Sequence, residues 1–339
     1  MIERKLIDSG RNAGMRQITF SVATQEAMRE EMQRDETVFL MGEDIARQGG
    51  IFGQFKDLAA EFGSERVRDT PISETAIIGG GVGAALAGMR PVVDMHFADF
   101  IGVPMDEIFN QMAKARYMFG GQAKVPLVLR APDGMTRGGA AQHSQCVEAW
   151  FMHIPGIKVV IPSNPADAKG LLKSAIRSDD PVLYFEHKRL FSMKGDVPEG
   201  EYVTPIGKAK VAKDGTDLTV VSYSYYMHNV LEAAEALDKD GIHVECVDLR
   251  TISPLDMDTI YESLRKTKKL MIVHEAVKQG GVGAEVAART AEDMIDYLDA
   301  PIIRLGAPFV PIPYAPTLER LVKIEPGDII KAVKDLLGD

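Results

Sequence analysis

Two side chains in this sequence stand where proton chemistry could be done: a glutamate heading a glycine-rich run, and a histidine in a loop of small residues. The glutamate is Glu74, which closes Asp69-Thr70-Pro71-Ile72-Ser73-Glu74. Pro71 suits a turn rather than a helix interior or central strand. Ser73 is a good N-cap, and Glu74 falls in the first helical turn, where a carboxylate complements the helix dipole. The helix continues through Gly79-Gly80-Gly81-Val82-Gly83-Ala84-Ala85-Leu86-Ala87-Gly88. Each interior glycine costs about 1 kcal/mol relative to alanine, so the run needs a packing reason, a neighbouring helix or a ligand close to the backbone. Spacing alone equally fits a carboxylate that only compensates a dipole. The histidine is His143, in Ala140-Ala141-Gln142-His143-Ser144-Gln145 at the end of a long loop that starts at Ala131. Long loops inside compact domains are usually functional. An imidazole flanked by amides and hydroxyls can serve as acid or base near neutral pH, or simply face solvent.

These groups need elements to carry them. Val38-Phe39-Leu40-Met41 reads as a short buried strand ending at Gly42-Glu43-Asp44. Acids at the carboxyl end of a parallel strand sit where open α/β sheets bind ligands, though a solvated turn has the same composition. A second strand, Pro91 to Phe97, delivers His96 and leads to Phe100, an aromatic that also suits a core. A strand over Val125–Arg130 precedes the His143 loop. Helices are expected over Thr19–Arg34, Pro104–Met118 and from Asn164-Pro165 to about Arg177, the last with an N-cap and a proline at its first position. After residue 205 the pattern repeats: strands at Leu218–Ser222, His243–Asp248, Leu270–Val273 and Ile302–Arg304 alternate with helices. Such alternation predicts an α/β protein of two domains, each a mostly parallel sheet with flanking helices. The expected divisions are a polar, flexible extension at 1–18, a first domain at 19–190, a linker at 191–205 and a second domain at 206–339.

Composition excludes several classes. The 339 residues carry a net charge of −10, against a nucleic-acid binder that works by phosphate neutralisation. No apolar run is long enough to span a membrane, and the N-terminus has no signal-peptide core. Cys146 and Cys246 show no metal-ligand spacing, and a reducing cytoplasm is the expected location. A nicotinamide enzyme would need Gly-x-Gly-x-x-Gly after a strand; Gly81-Val82-Gly83 and Gly281-Val282-Gly283 both lack the third glycine.

Read together, Gly42-Glu43-Asp44, Asp69 to Glu74, Ala140 to Gln145, Asp167-Ala168-Lys169-Gly170 and Leu249-Arg250-Thr251 resemble the beta subunit of the thiamine diphosphate-dependent first component of 2-oxo acid and acetoin dehydrogenase complexes. The likeness runs from about Thr19 to the C-terminus. It implies a transketolase-like pyrimidine-binding domain followed by a transketolase C-terminal-like domain. It gives Glu74 the role of bonding N1′ of the cofactor's aminopyrimidine, which favours the imino tautomer that can deprotonate the thiazolium. It gives His143 an acid/base or substrate-orienting role, and places Glu43, Ile72, His96 and Phe100 against the cofactor. Some relatives hold a potassium ion, largely through backbone carbonyls; the matching positions are Leu127, Ala175, Ile176, Ser178 and Asp180, with Ser178 replacing an acid.

An absence bears on the same reading. Single-chain thiamine enzymes carry a Gly-Asp-Gly motif for Mg²⁺ and the diphosphate, and this sequence has none. The resemblance therefore implies an α₂β₂ heterotetramer whose alpha subunit brings the metal, and a lipoyl-bearing acyltransferase that accepts the acyl group. Gly49 to Gly53 and Glu186 to Glu199 look closest to acetoin-type subunits, with pyruvate next and branched-chain 2-oxo acids third. A non-catalytic scaffolding subunit is the alternative from another class.

Overall fold

Continuous apolar runs become the central strands. The computed structural model describes residues 14–338. Its strands are β1 (Met15–Thr19), β2 (Val38–Gly42), β3 (Val67–Asp69), β4 (Arg90–Asp94), β5 (Val128–Asp133), β6 (Lys158–Val160), β7 (Val182–His187), β8 (Lys194–Pro198), β9 (Lys210–Lys213), β10 (Leu218–Ser222), β11 (Val244–Asp248), β12 (Thr251–Ser253), β13 (Leu270–Val277) and β14 (Ile303–Ala307). Seven form one sheet in the order β12-β6-β7-β5-β4-β2-β3, and five form a second in the order β14-β13-β10-β11-β9. The first is parallel except where β12 meets β6, and the second except where β9 meets β11. Every residue of β5 and β7 is buried, as in strands covered by helices on both faces. The expected α/β architecture of two mostly parallel sheets is the one observed. Among the described residues no helix is long and apolar enough to cross a membrane.

The first sheet has a topological switch point between β2 and β4. The chain leaves β2 for β3 on one side, then returns to lay β4 on the other. In open α/β sheets the crevice outside the carboxyl ends of such strands is the ligand site. Everything that follows Gly42, Asp69 and Asp94 is delivered to that crevice.

Charge is buried in unusual amounts around this sheet. Arg130 and Glu186 are both fully buried and pair through two hydrogen bonds of 2.8 and 2.6 Å, with the guanidinium 4.8 Å from the Phe55 ring centroid. The helix Pro165–Arg177 packs on the helix Phe20–Arg34 through Lys169 and Lys173, whose ammonium groups both reach Glu30, at 2.5 and 2.7 Å. Asn164 caps the first of these helices at the Asp167 amide, with Pro165 at its start, as the sequence predicts.

Some elements differ from expectation. Ser73 sits at the N-cap, but its hydroxyl donates to the Pro71 carbonyl and does not cap the helix. The helix expected over Pro104–Met118 is interrupted: a π-helical turn at Glu107–Met112 gives way to a separate turn at Ala115–Met118. There the Ala113 carbonyl lies against Gly156, where any Cβ would collide with it, and Lys114 bonds the Pro155 carbonyl. The break in the helix thus coincides with the close approach of this neighbouring turn. Of the extension expected at 1–18, residues 1–13 lie outside the described residues. Met15 to Ile18 instead lie in β1, which pairs antiparallel with β8 inside the expected linker at 191–205. Two polar segments far apart in sequence order each other, a pairing no local pattern announces.

Candidate active site

Glycine makes the entrance to the crevice possible. A Cβ on Gly42 would lie 2.9 Å from that of Asp94, so β2 can approach β4 here only without a side chain. Glu43 follows at once, and Asp44 turns the chain with a positive φ of 54°. Asp69 then ties the two loops together: its carboxylate accepts the Ala46 and Arg47 amides at 2.7 and 3.1 Å. This fixes the turn that precedes Glu74 against the turn that carries Glu43. The motif contained Asp69, but its clamping role depends on residues 22 and 23 positions earlier, which sequence spacing did not reveal.

Glu74 opens the helix Glu74–Leu86 and is half-buried. Glu43 and His96 face the same space. Burial raises the Glu43 carboxyl above its ordinary pKa, the nearby His96 ring opposes that rise, and the Glu74 and Asp44 carboxylates reinforce it. Ile72 stands at the rim, 80% exposed.

The aromatic side is continuous. His96 has a left-handed φ of 58°, held by a 3.2 Å bond from its amide to Asp94 Oδ2, and its ring Nδ1 is buried without a partner. The ring meets Phe97 edge-on at 5.6 Å. Phe97 and Phe100 in turn pack edge-on against the His143 ring at 5.2 and 5.6 Å. His143 itself is exposed. Glu43, Glu74, His96, Phe100 and His143 thus converge on one crevice, with Ile72 at its edge. Phe97, which links the two histidines, was not singled out by sequence reasoning; its place two residues before Asp99-Phe100 was the available signal.

Asp94 supplies a pH test of this corner. Burial pushes its carboxyl up to about 6, against the opposing charge of Arg130. The folded state therefore holds this proton more tightly than the unfolded chain, and the group's contribution to stability falls as pH rises from about 4 to 6. Asp94→Asn removes that loss. The variant is expected to be more stable than the parent at pH 8 by an amount on the order of 3 kcal/mol, and equal to it near pH 4. Thermal unfolding at the two pH values checks this; a difference independent of pH contradicts it.

The potassium positions lie elsewhere, and the structure gives them no free oxygen cage. The Leu127 carbonyl accepts from the Val182 amide and that of Ala175 from the Ser178 amide. The Ile176 and Ser178 carbonyls both accept from Arg90 Nη1 at 3.0 Å. Lys158 bonds the Ser178 hydroxyl and pairs with Asp180, which also pairs with Arg116. A cation there would have only second lone pairs, beside cations the chain already supplies. These residues do not fit potassium.

A further cluster lies on the seam between the sheets. Ligand atoms of Asp133, Cys146 and Glu148 come within 4.8 Å of one another, a grouping the cysteine spacing did not predict. Burial raises both carboxyls, which favours their neutral forms, and Tyr223 donates to Glu148 at 2.6 Å. Beside them His187 Nδ1 accepts the Arg189 amide, so its Nε2 carries the proton and donates to Glu275 at 2.7 Å.

Residues 16–194 match the family described as transketolase, pyrimidine binding domain, and residues 207–329 match transketolase, C-terminal domain. The chain is similar to the 2-oxoisovalerate dehydrogenase subunit beta of Bacillus subtilis (strain 168), at 50% identity over 91% of this chain and 95% of the relative. It is similar to the acetoin:2,6-dichlorophenolindophenol oxidoreductase subunit beta of Cupriavidus necator, at 46% over 90% and 93%. It is also similar to the mitochondrial pyruvate dehydrogenase E1 component subunit beta of Dictyostelium discoideum, at 45% over 96% and 92%. Among solved structures, a chain described as "Split gene transketolase, inactive beta4 tetramer" shares the fold, with a TM-score of 0.79 at 24% identity over 95% of this chain and 98% of that one.

Proposed function

From the premise that this chain belongs to the beta subunits of the first component of 2-oxo acid and acetoin dehydrogenases, a thiamine diphosphate-dependent family, we propose that its crevice is the proton-handling half of the cofactor site and that an alpha subunit completes it. The observation that carries this reading is Glu74 at the head of its helix, at the switch point, facing Glu43 and His96. When bound, the cofactor would supply a carbanion centre for chemistry at a substrate carbonyl. The chain's own residues do the rest on this side. Glu74 would hold a proton at N1′, and Phe100, Ile72, Glu43 and His96 would hold the pyrimidine ring. His143, exposed at the mouth, hands a proton to or from the substrate oxygen.

The heterocycle end of the cofactor fits these residues, and the diphosphate end does not. The crevice is lined by Glu43, Asp44 and Glu74, and like charges repel an anion. Mg²⁺ and the oriented amides that a diphosphate requires are assigned to the alpha subunit. The glycine run supports a partner here. Gly81 packs on the sheet, where a Cβ would lie 3.0 Å from Leu127 and Val93 side-chain atoms. Gly79, Gly80 and Gly83 have no such intrachain reason, since a Cβ at each would meet nothing closer than 3.6 Å. Their bare backbone is open to another chain, as an α₂β₂ assembly requires.

For substrate we propose acetoin or pyruvate, with the acetyl unit passed to the lipoyl group of an acyltransferase. The 50% identity to a 2-oxoisovalerate subunit supports a second reading, a branched-chain 2-oxo acid. The test is the chain co-expressed with its alpha subunit and assayed with acetoin, pyruvate and 2-oxoisovalerate against a lipoyl domain. Preference for acetoin or pyruvate supports the first reading, preference for 2-oxoisovalerate replaces it with the second, and no turnover of any overturns both.

A further inference from the structure

His143 is exposed, yet the backbone from its carbonyl onward is held by buried charge. Asp99 is 2% exposed at its side chain and Lys188 1%. Asp99 Oδ1 gathers three donors from the residues just after the histidine: the Ser144 amide at 3.1 Å, the Gln145 amide at 3.0 Å and the Gln145 side-chain amide at 3.0 Å. Lys188 Nζ donates to the His143 carbonyl at 2.5 Å and lies 5.0 Å from the Phe97 ring centroid. The two charges do not hydrogen-bond each other: Lys188 Nζ is 4.0 Å from Asp99 Oδ2, which is buried with no hydrogen-bond partner among the described residues. Burying an ammonium and a carboxylate costs several kcal/mol each unless their bonds are good. Here the good bonds go to the loop and not to the partner charge. A surface loop with no task needs no such grip.

We infer that Asp99 and Lys188 are positioning residues that fix the angle of the His143 imidazole over Phe97 and Phe100, and that turnover depends on them only through His143. This rests on the proposed role of His143. Asp99 comes from the segment that also carries Phe100, and Lys188 from the turn after β7. The grip therefore ties the histidine to the strand ends that shape the crevice.

A double-mutant cycle in the assembled alpha–beta enzyme separates positioning from mere stability. His143→Ala should lower kcat about 100-fold, and Asp99→Ala about 30-fold with KM changed less than about threefold. The double variant should be no slower than His143→Ala alone. Asp99→Asn, which keeps the Oδ1 acceptor, should recover most of the loss. If Asp99→Ala fails to assemble, Lys188→Met is read in the same cycle. Additive losses, or a normal kcat in the Asp99 variant beside a slow His143→Ala, overturn this inference alone. Normal turnover in His143→Ala overturns the role of His143 itself, and this inference with it.

Discussion

Glu74→Gln is expected to lower turnover of the assembled enzyme by about 10³-fold while leaving its fold and its cofactor affinity nearly intact. The amide keeps the shape and polarity of the side chain at the helix head but cannot take or give a proton at N1′, and positioned general acid–base groups contribute about 10² to 10⁴ in rate. Glu74 is only half-buried in this chain, so the substitution should change stability by no more than about 0.5 kcal/mol. The measurement is kcat with the natural lipoyl acceptor beside a cofactor titration and a melting curve. Near-normal turnover would remove Glu74 from the mechanism. Loss of cofactor binding with unimpaired chemistry on the remaining holoenzyme would make it an anchor instead.

The second large effect concerns the isolated chain. It should bind thiamine diphosphate with Mg²⁺ at least about 100-fold more weakly than the assembly with an alpha subunit. Most of the cofactor's charge is in its diphosphate, and a missing set of charge-assisted bonds is worth at least about 3 kcal/mol, or two decades in Kd. The crevice proposed for the pyrimidine presents Glu43, Asp44 and Glu74, none of which welcomes an anion. Isothermal titration of the lone chain and of the co-purified complex compares the two. Equal, Mg²⁺-dependent affinities would show that one chain type holds the whole site, and the division of labour between subunits would fall.

How much was legible beforehand differs from residue to residue, for physical reasons. The strands and their alternation with helices were visible because β2, β4, β5 and β7 are built on short apolar runs bounded by glycine, proline and charged residues. Glu43, Glu74, His96 and Phe100 were placed at or near strand or helix ends by that same punctuation, and only the family resemblance linked them. What the sequence alone did not show is order in space. Nothing local says that the chain leaves β2 for β3 and returns to form β4, the step that turns three separate loops into one crevice. The clamp of Asp69 on Ala46 and Arg47, and the pairing of β1 with β8, are contacts between distant residues without apolar periodicity to betray them. Ser73 shows the opposite case, a residue with the right chemistry for a cap whose hydroxyl found a nearer acceptor.

The short strand Thr251–Ser253 belongs by sequence to the second half, yet it is bonded to the edge of the first sheet, with Thr251 opposite Val160 and Ser253 opposite Val159. Just before it, Arg250 reaches back to Asp167 at 2.8 Å, and the Ile161 amide bonds the Arg250 carbonyl. The first half thus leaves its last rung to be laid by chain made roughly 90 residues later, about 5 to 20 s at ordinary synthesis rates. Until then β6 is a bare edge with unpaired amides, the kind of surface on which nascent chains stick to one another. Cutting the gene at the boundary between the halves would make that interval permanent and leave the β6 edge bare.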